Sequence, residues 1–70
     1  MLTIQIREQH ISLAQALKLA GLADSGGMAK QLVREGRVTV NGIVEKQPGK
    51  KLTVLDTFGL TDGPPWAVSR

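Results

Sequence analysis

Seventy residues make one small domain, with 41% hydrophobic and 21% charged side chains and a net charge of +3, a balance that suits a folded chain rather than a disordered tail. The lack of cysteine excludes disulfides, iron–sulfur clusters and thiolate zinc sites, and the single histidine, His10, excludes a His-pair metal motif. No apolar run approaches the roughly 18 residues that span a bilayer, and Met1 to Glu8 lacks the basic start and long apolar stretch of a signal peptide. The cytoplasm is therefore the expected compartment, and no cofactor is expected.

Thr3 to Arg7 alternates polar and apolar residues, the period of a half-buried strand. Ser12 and Gln15 form the S-x-x-Q pattern of a helix start. Leu13, Ala16, Leu17 and Ala20 then fall on one helical face, and Gly21 suits a C-terminal cap. This predicts a helix over about 12–20. Asp24 and Ser25 both suit an N-cap, and Met28 to Glu35 reads as a second helix ending at Gly36. Its apolar face carries Ala29, Leu32 and Val33, and the other side carries Lys30, Gln31 and Arg34.

Two β-branched runs flank Asn41-Gly42, a strong hairpin signal. Pro48-Gly49 marks a turn, and Lys51 to Thr57 is predicted as a strand with Leu52, Val54 and Phe58 inward. Asp62 to Pro65 is expected to be a turn, and Trp66 to Val68 a last short strand. The order is α+β.

The charge is unevenly spread. Residues 30–51 hold six basic residues, Lys30, Arg34, Arg37, Lys46, Lys50 and Lys51, against Glu35 and Glu45. A basic sector of this kind is the footprint of a nucleic-acid binder, but also of an ordinary solvated face, and charge alone does not choose between them. Ser25-Gly26-Gly27 reads either as a capped turn or as a helix start open to phosphate, with Lys30 one turn further on.

A catalytic reading finds no nucleophile elbow, and Gly49-Lys50-Lys51 lacks the earlier glycine and following hydroxyl of a phosphate loop. No enzyme is expected. His10 reads as an exposed connector, at most a supplementary phosphate contact. Trp66 and Phe58 are the only aromatic residues, too few for base stacking, which favours folded nucleic acid read by shape and phosphates. Both are expected in or beside the core.

From Leu13 to about Thr57 the chain resembles the S-four-type RNA-binding domain, the αL motif. The residues that carry this are Leu13 and Leu17, Gly21-Leu22, Ser25, Ala29-Lys30, Leu32-Val33 and the run Gly36-Arg37-Val38-Thr39-Val40-Asn41-Gly42. Ser25 to Lys30 together with Gly49 to Leu52 looks like the short stand-alone bacterial members. Two positions depart from the pattern: Gly26 stands where many relatives carry an arginine, and Leu55-Asp56 stands where Gly-Asp is usual.

The resemblance implies two packed helices against a small, mainly antiparallel sheet, in a single domain with its motif core at about 11–57 and a C-terminal strand or tail at 58–70. It implies binding of structured RNA, ribosomal or transfer, in ribosome assembly or translation, by a monomer acting alone or within a ribonucleoprotein. Matched position by position, it selects Ser25, Lys30, Gln31, Arg34 and Arg37, with Lys46, Lys50 and Lys51 as a flanking patch. Lys18 joins them if the outer end of the first helix lies nearby. Asn41 and Gly42 are better explained as turn formers. The competing expectations are DNA binding through the same face, and a protein-interaction module using an edge strand or an exposed Trp66 tail.

Overall fold

The alternation at the N-terminus does form a strand, β1 (Leu2–Gln5), in a computed structural model that describes residues 2–70. It is followed by β2 (Ile11–Ser12), α1 (Leu13–Leu19), α2 (Gly26–Arg34), β3 (Val38–Val40), β4 (Ile43–Val44), β5 (Lys51–Leu52), β6 (Thr57–Leu60) and β7 (Trp66–Ser69). The order in the main sheet is β1-β7-β6-β3-β4, and β2 pairs with β5 in a separate ribbon. All the pairings are antiparallel except β1 with β7, which run parallel in the register Leu2↔Trp66 to Gln5↔Ser69.

Local chemistry sets both helices. Ser12 caps α1, its Oγ accepting from the Gln15 N–H at 3.2 Å. The helix ends with Gly21 at φ 74, where the Gly21 N–H donates to the Lys18 carbonyl and the Leu22 N–H to the Leu17 carbonyl, each at 3.0 Å. This double closure satisfies carbonyls that the last turn leaves open. α2 repeats the plan. Ser25 Oγ accepts from the Met28 N–H at 3.1 Å, and Gly36 at φ 76 closes the far end with Gly36 N–H to Val33 O and Arg37 N–H to Leu32 O. The second helix thus begins at Gly26, two residues before the expected start, and Ser25 rather than Asp24 is the cap.

The core lies between one face of the sheet and the two helices. Val38, Val40, Phe58, Val68, Ile4 and Ile6 meet Leu13, Ala16, Leu17, Ala29 and Val33, with Leu52 brought in from β5. The C-terminal strand is essential to this arrangement, because β7 lies between β1 and β6 and contributes the buried Val68. Trp66 is half-buried and paired on both sides, to Leu2 and Phe58. The residues at 66–69 are therefore part of the sheet, as the expected last strand has it, and the exposed Trp66 tail of the competing protein-interaction reading is corrected.

The predicted strand over Lys51 to Thr57 is also corrected. It divides into β5 and β6 around a turn at 53–56, where the Asp56 N–H donates to the Thr53 carbonyl at 3.0 Å. Leu55 takes φ 82, the left-handed value demanded by the third position of a type II turn. Leu52 stays fully buried as expected, Val54 is half-buried, and Phe58 belongs to the next strand. Gly59 is required where it stands. A Cβ there would lie 2.8 Å from the Pro64 carbonyl oxygen, so the 61–65 turn folds tightly onto the sheet at that position.

Candidate nucleic-acid interface

The amphipathic pattern of α2 turns Ala29 and Val33 into the core and leaves Lys30, Gln31 and Arg34 exposed. Lys30 and Arg34 are one turn apart and share a side of the helix. Arg37 follows directly, because the closure at Gly36 ends the helix and redirects the chain into β3.

The sequence gap between Arg37 and Lys46 is closed by the Asn41-Gly42 hairpin. Asn41 (φ 52) and Gly42 (φ 85) both take left-handed values, as a type I′ turn needs, and Val40 faces Ile43. The returning chain runs beyond β4, with the Glu45 N–H donating to the Val38 carbonyl at 3.0 Å. Lys46 is thereby laid over the end of α2, its Cε 3.3 Å from where a Cβ on Gly36 would stand. Glycine at 36 thus serves twice, through its positive φ and through the room it leaves for the Lys46 alkyl chain.

Residues 47–51 then pass to the start of α1. The Leu13 N–H donates to the Lys50 carbonyl at 2.8 Å and the Ala14 N–H to the Pro48 carbonyl at 3.1 Å. Lys51 pairs with Ser12 across the β2–β5 ribbon. Lys50 and Lys51 are both exposed, beside the N-terminus of α1. Of the selected residues, Lys30, Arg34, Arg37 and Lys46 come together around the C-terminal half of α2, and Lys50 and Lys51 form a second group.

Ser25 stands at the opposite end of α2, exposed, with its oxygen engaged by Met28. Nothing lies within 4 Å of a Cβ built on Gly26, and only Ser25 Oγ, at 3.9 Å, approaches one on Gly27. Packing therefore does not demand either glycine, and the first turn of the helix is open to solvent. Gln31 donates through Nε2 to Glu35 Oε2 at 3.1 Å, so this amide is tied to the one acid on the same helix flank.

Asn41 does more than form a turn. Its N–H donates to the Thr57 carbonyl at 2.8 Å, its Oδ1 accepts from the Thr57 N–H at 2.9 Å, and its Nδ2 donates to Asp56 Oδ1 at 3.2 Å. Asp56 in turn accepts from the Thr53 N–H at 2.8 Å. That backbone bond, aided by the Asn41 and Thr53 side chains and the nearby Lys50 charge, holds the Asp56 carboxyl below the 3.8 of a free aspartate against the opposing effect of burial. The pair locks the hairpin tip to the 53–56 turn, and it offsets part of the Lys50 charge. Fifteen residues separate Asn41 from Asp56, and no local pattern announces the contact. His10 is exposed in the segment joining β1 to β2, as a connector would be. Among the described residues no three His, Cys, Asp or Glu side chains group as a metal site would, and no helix is long and apolar enough to cross a membrane.

Two capped helices, a G-x-V-x-V-N-G hairpin and a sheet closed by the chain's two ends define a small α+β domain of the αL type. Residues 4–63 match the S4 domain, and the chain belongs to that family. It is 45% identical over 53 residues to the probable ribosome maturation protein RlbA of Bacillus subtilis, covering 76% of this chain and 75% of that protein. It is 37% identical over 51 residues to the putative RNA-binding protein YbcJ of Escherichia coli, covering 73% of each. The solution structure of YbcJ, described as revealing an αL motif involved in RNA binding, superposes with a TM-score of 0.74 at 32% identity, over all of this chain and 89% of that one.

Proposed function

We propose that this protein binds structured RNA, of the ribosomal or transfer class, without catalysing a reaction, and that it serves ribosome maturation in the cytoplasm. The family and the names of its relatives support RNA as the ligand. The observation that carries the assignment of the surface is the placement of Lys46 over Gly36, which adds Lys46 to the basic residues of 30–37 across the end of α2. Arg34 and Arg37 supply bidentate phosphate contacts, and Lys30, Lys46, Lys50 and Lys51 supply point charges. Ser25 and Gln31 border this surface as polar contacts. Capture is electrostatic, and fit to the shape of a stem-loop or junction follows.

The test is a fluorescence-anisotropy titration of a labelled ribosomal RNA stem-loop, with a DNA duplex of equal length as control, across a salt series. RNA should bind more tightly than DNA. With about 3–5 phosphates neutralised, log affinity should fall with log salt at a slope of roughly −2 to −4.5. The double variant Arg34→Glu/Arg37→Glu should stay folded and lose that binding. Equal binding of RNA and DNA, or no binding of either at low salt, would sink the proposal.

A further inference from the structure

A groove of about 590 Å³ lies away from α2, between the end of β1, the segment that follows it, and the outward face of α1. Its size falls within the ~300–1,000 Å³ of small-ligand sites. Buried Ile6 and half-buried Ile11 form its base, and Leu19, 60% exposed, forms one apolar wall. Arg7 and Lys18 bring two fixed positive charges to it against the single carboxylate of Glu8, with His10 between strand and helix. Gln5 and Gln15 add side-chain amides from facing elements.

This combination has a chemical meaning. An aliphatic base accepts the face of a flat heterocycle. The glutamine amides both donate and accept, as the edge of a nucleobase requires. The cations match a phosphate. The groove also borders the ribbon that carries Lys51. Ile11, at its base, pairs with Leu52, and the next residue, Ser12, pairs with Lys51. The backbone of Lys50 is bonded to the first turn of α1. A strand leaving Lys50 and Lys51 therefore has only the two-residue strand β2 to cross before it reaches the groove.

We infer that the groove holds one unpaired nucleotide of a single-stranded extension flanking the structured RNA, with its base on Ile11 and Leu19 and its phosphate between Arg7 and Lys18. The inference rests on the RNA-binding reading for its ligand, yet the two can fail separately. Unpaired bases are the part of an RNA that side chains can read by their edges, so this groove would give the protein a selectivity that phosphate contacts cannot.

The experiment compares a blunt stem-loop with the same stem-loop carrying a three-nucleotide single-stranded extension, using the full chain and its Arg7→Ala/Lys18→Ala variant. It is paired with an NMR titration of the free protein by adenosine and uridine monophosphate. The extension should tighten binding by about tenfold, the fold-change of one charged hydrogen bond. The variant should lose that gain and bind blunt and extended RNA alike. Mononucleotides should shift the amides of Ile6, Gln15 and Lys18 and leave those of Lys30 to Arg37 unmoved. Blunt and extended RNA binding alike to the unsubstituted chain would overturn the inference and leave the RNA reading standing, and so would a gain that survives in the variant. If neither RNA binds, the RNA reading fails and the mononucleotide shifts decide the groove: shifts confined to it uphold nucleotide binding there, and their absence overturns it. Equal shifts from an acidic peptide would overturn the nucleotide in favour of a protein partner.

Discussion

Replacing Leu55 with glycine is expected to stabilise the protein. Leu55 occupies the third position of the 53–56 turn at φ 82, and its side chain is 84% exposed. Holding a residue with a Cβ in the left-handed region costs roughly 1–2 kcal/mol. Glycine removes that cost but gains freedom in the unfolded chain, which takes back about 0.5–1 kcal/mol. Little burial is lost with so exposed a side chain. The bond from the Leu55 N–H to the Val68 carbonyl at 3.0 Å survives, because glycine keeps the donor. The net gain is about 0.5–1 kcal/mol, which for a domain of this size raises the melting temperature by roughly 2–8 °C. Urea denaturation should show a higher midpoint at an unchanged slope. Leu55→Ala is the control, since it removes the same exposed methyl groups and keeps the Cβ. If Leu55→Gly is no more stable than Leu55→Ala, the turn does not store the strain assigned to it.

Asp56→Asn should destabilise the protein by roughly 1–3 kcal/mol near neutral pH, through weakened bonds to Thr53 and Asn41. Since the folded carboxyl titrates below the 3.8 of the free group, its stabilisation is complete above that value and is lost as pH falls through the folded value. The gap between wild type and Asp56→Asn in urea melts should therefore narrow below about pH 4 and stay constant above pH 5. Removal of residues 66–70 should abolish cooperative unfolding by circular dichroism, because it strips β1 and β6 of their shared partner. Gly26→Arg enters open space at the start of α2. It should leave the fold intact, its gain in helix propensity roughly offset by a cation at the positive end of the helix dipole, and steepen the salt slope of RNA binding by about 0.7–0.9, one phosphate.

The helices were legible because their signals are local. Ser12 with Gln15, Ser25 with Met28, and glycines at the two closures lie within one turn of the amides and carbonyls they satisfy. Asn41-Gly42 is legible for the same reason, since a two-residue turn with both φ values positive leaves few alternatives. The pairing of Leu2 with Trp66 joins the two ends of the chain in parallel, and nothing in either strand specifies the partner or the direction. The 53–56 turn was hidden by its own residues. Val54 and Leu55 read as strand, and the group that breaks it is the Asp56 carboxylate reaching back to the Thr53 N–H. The departure from Gly-Asp at Leu55-Asp56 therefore changes the strain of the turn and not its existence. The basic residues of the candidate interface could be counted from the chain, but their adjacency could not. Only the returning hairpin brings Lys46 over Gly36, and only the β2–β5 ribbon sets Lys51 beside Ser12.

The charge pattern of α2 combines one contribution that opposes folding with one that favours it, so stability and binding can be separated at Arg34. Lys30 and Arg34 are like charges one turn apart, which destabilises a helix by about 0.2–0.5 kcal/mol. Arg34 recovers about 0.3–1 kcal/mol by sitting in the last turn, at the negative end of the helix dipole. Reversal to Arg34→Glu loses the dipole contribution, removes the repulsion and creates an opposite pair with Lys30. The reversal also puts an anion at the negative end of the dipole, so about 0.6–2 kcal/mol is lost there against roughly 0.4–1 kcal/mol recovered from the pair, and the variant should lose on the order of 0.5 kcal/mol in urea melts. The same substitution turns the proposed phosphate contact into a repulsion. Its affinity for the ribosomal stem-loop should fall at least tenfold at low salt, and the salt slope should shrink by about one phosphate, 0.7–0.9. A fall in affinity matched by a comparable loss of stability would place Arg34 among the residues that hold the helix. A fall in affinity well beyond the loss of stability assigns Arg34 to the RNA contact.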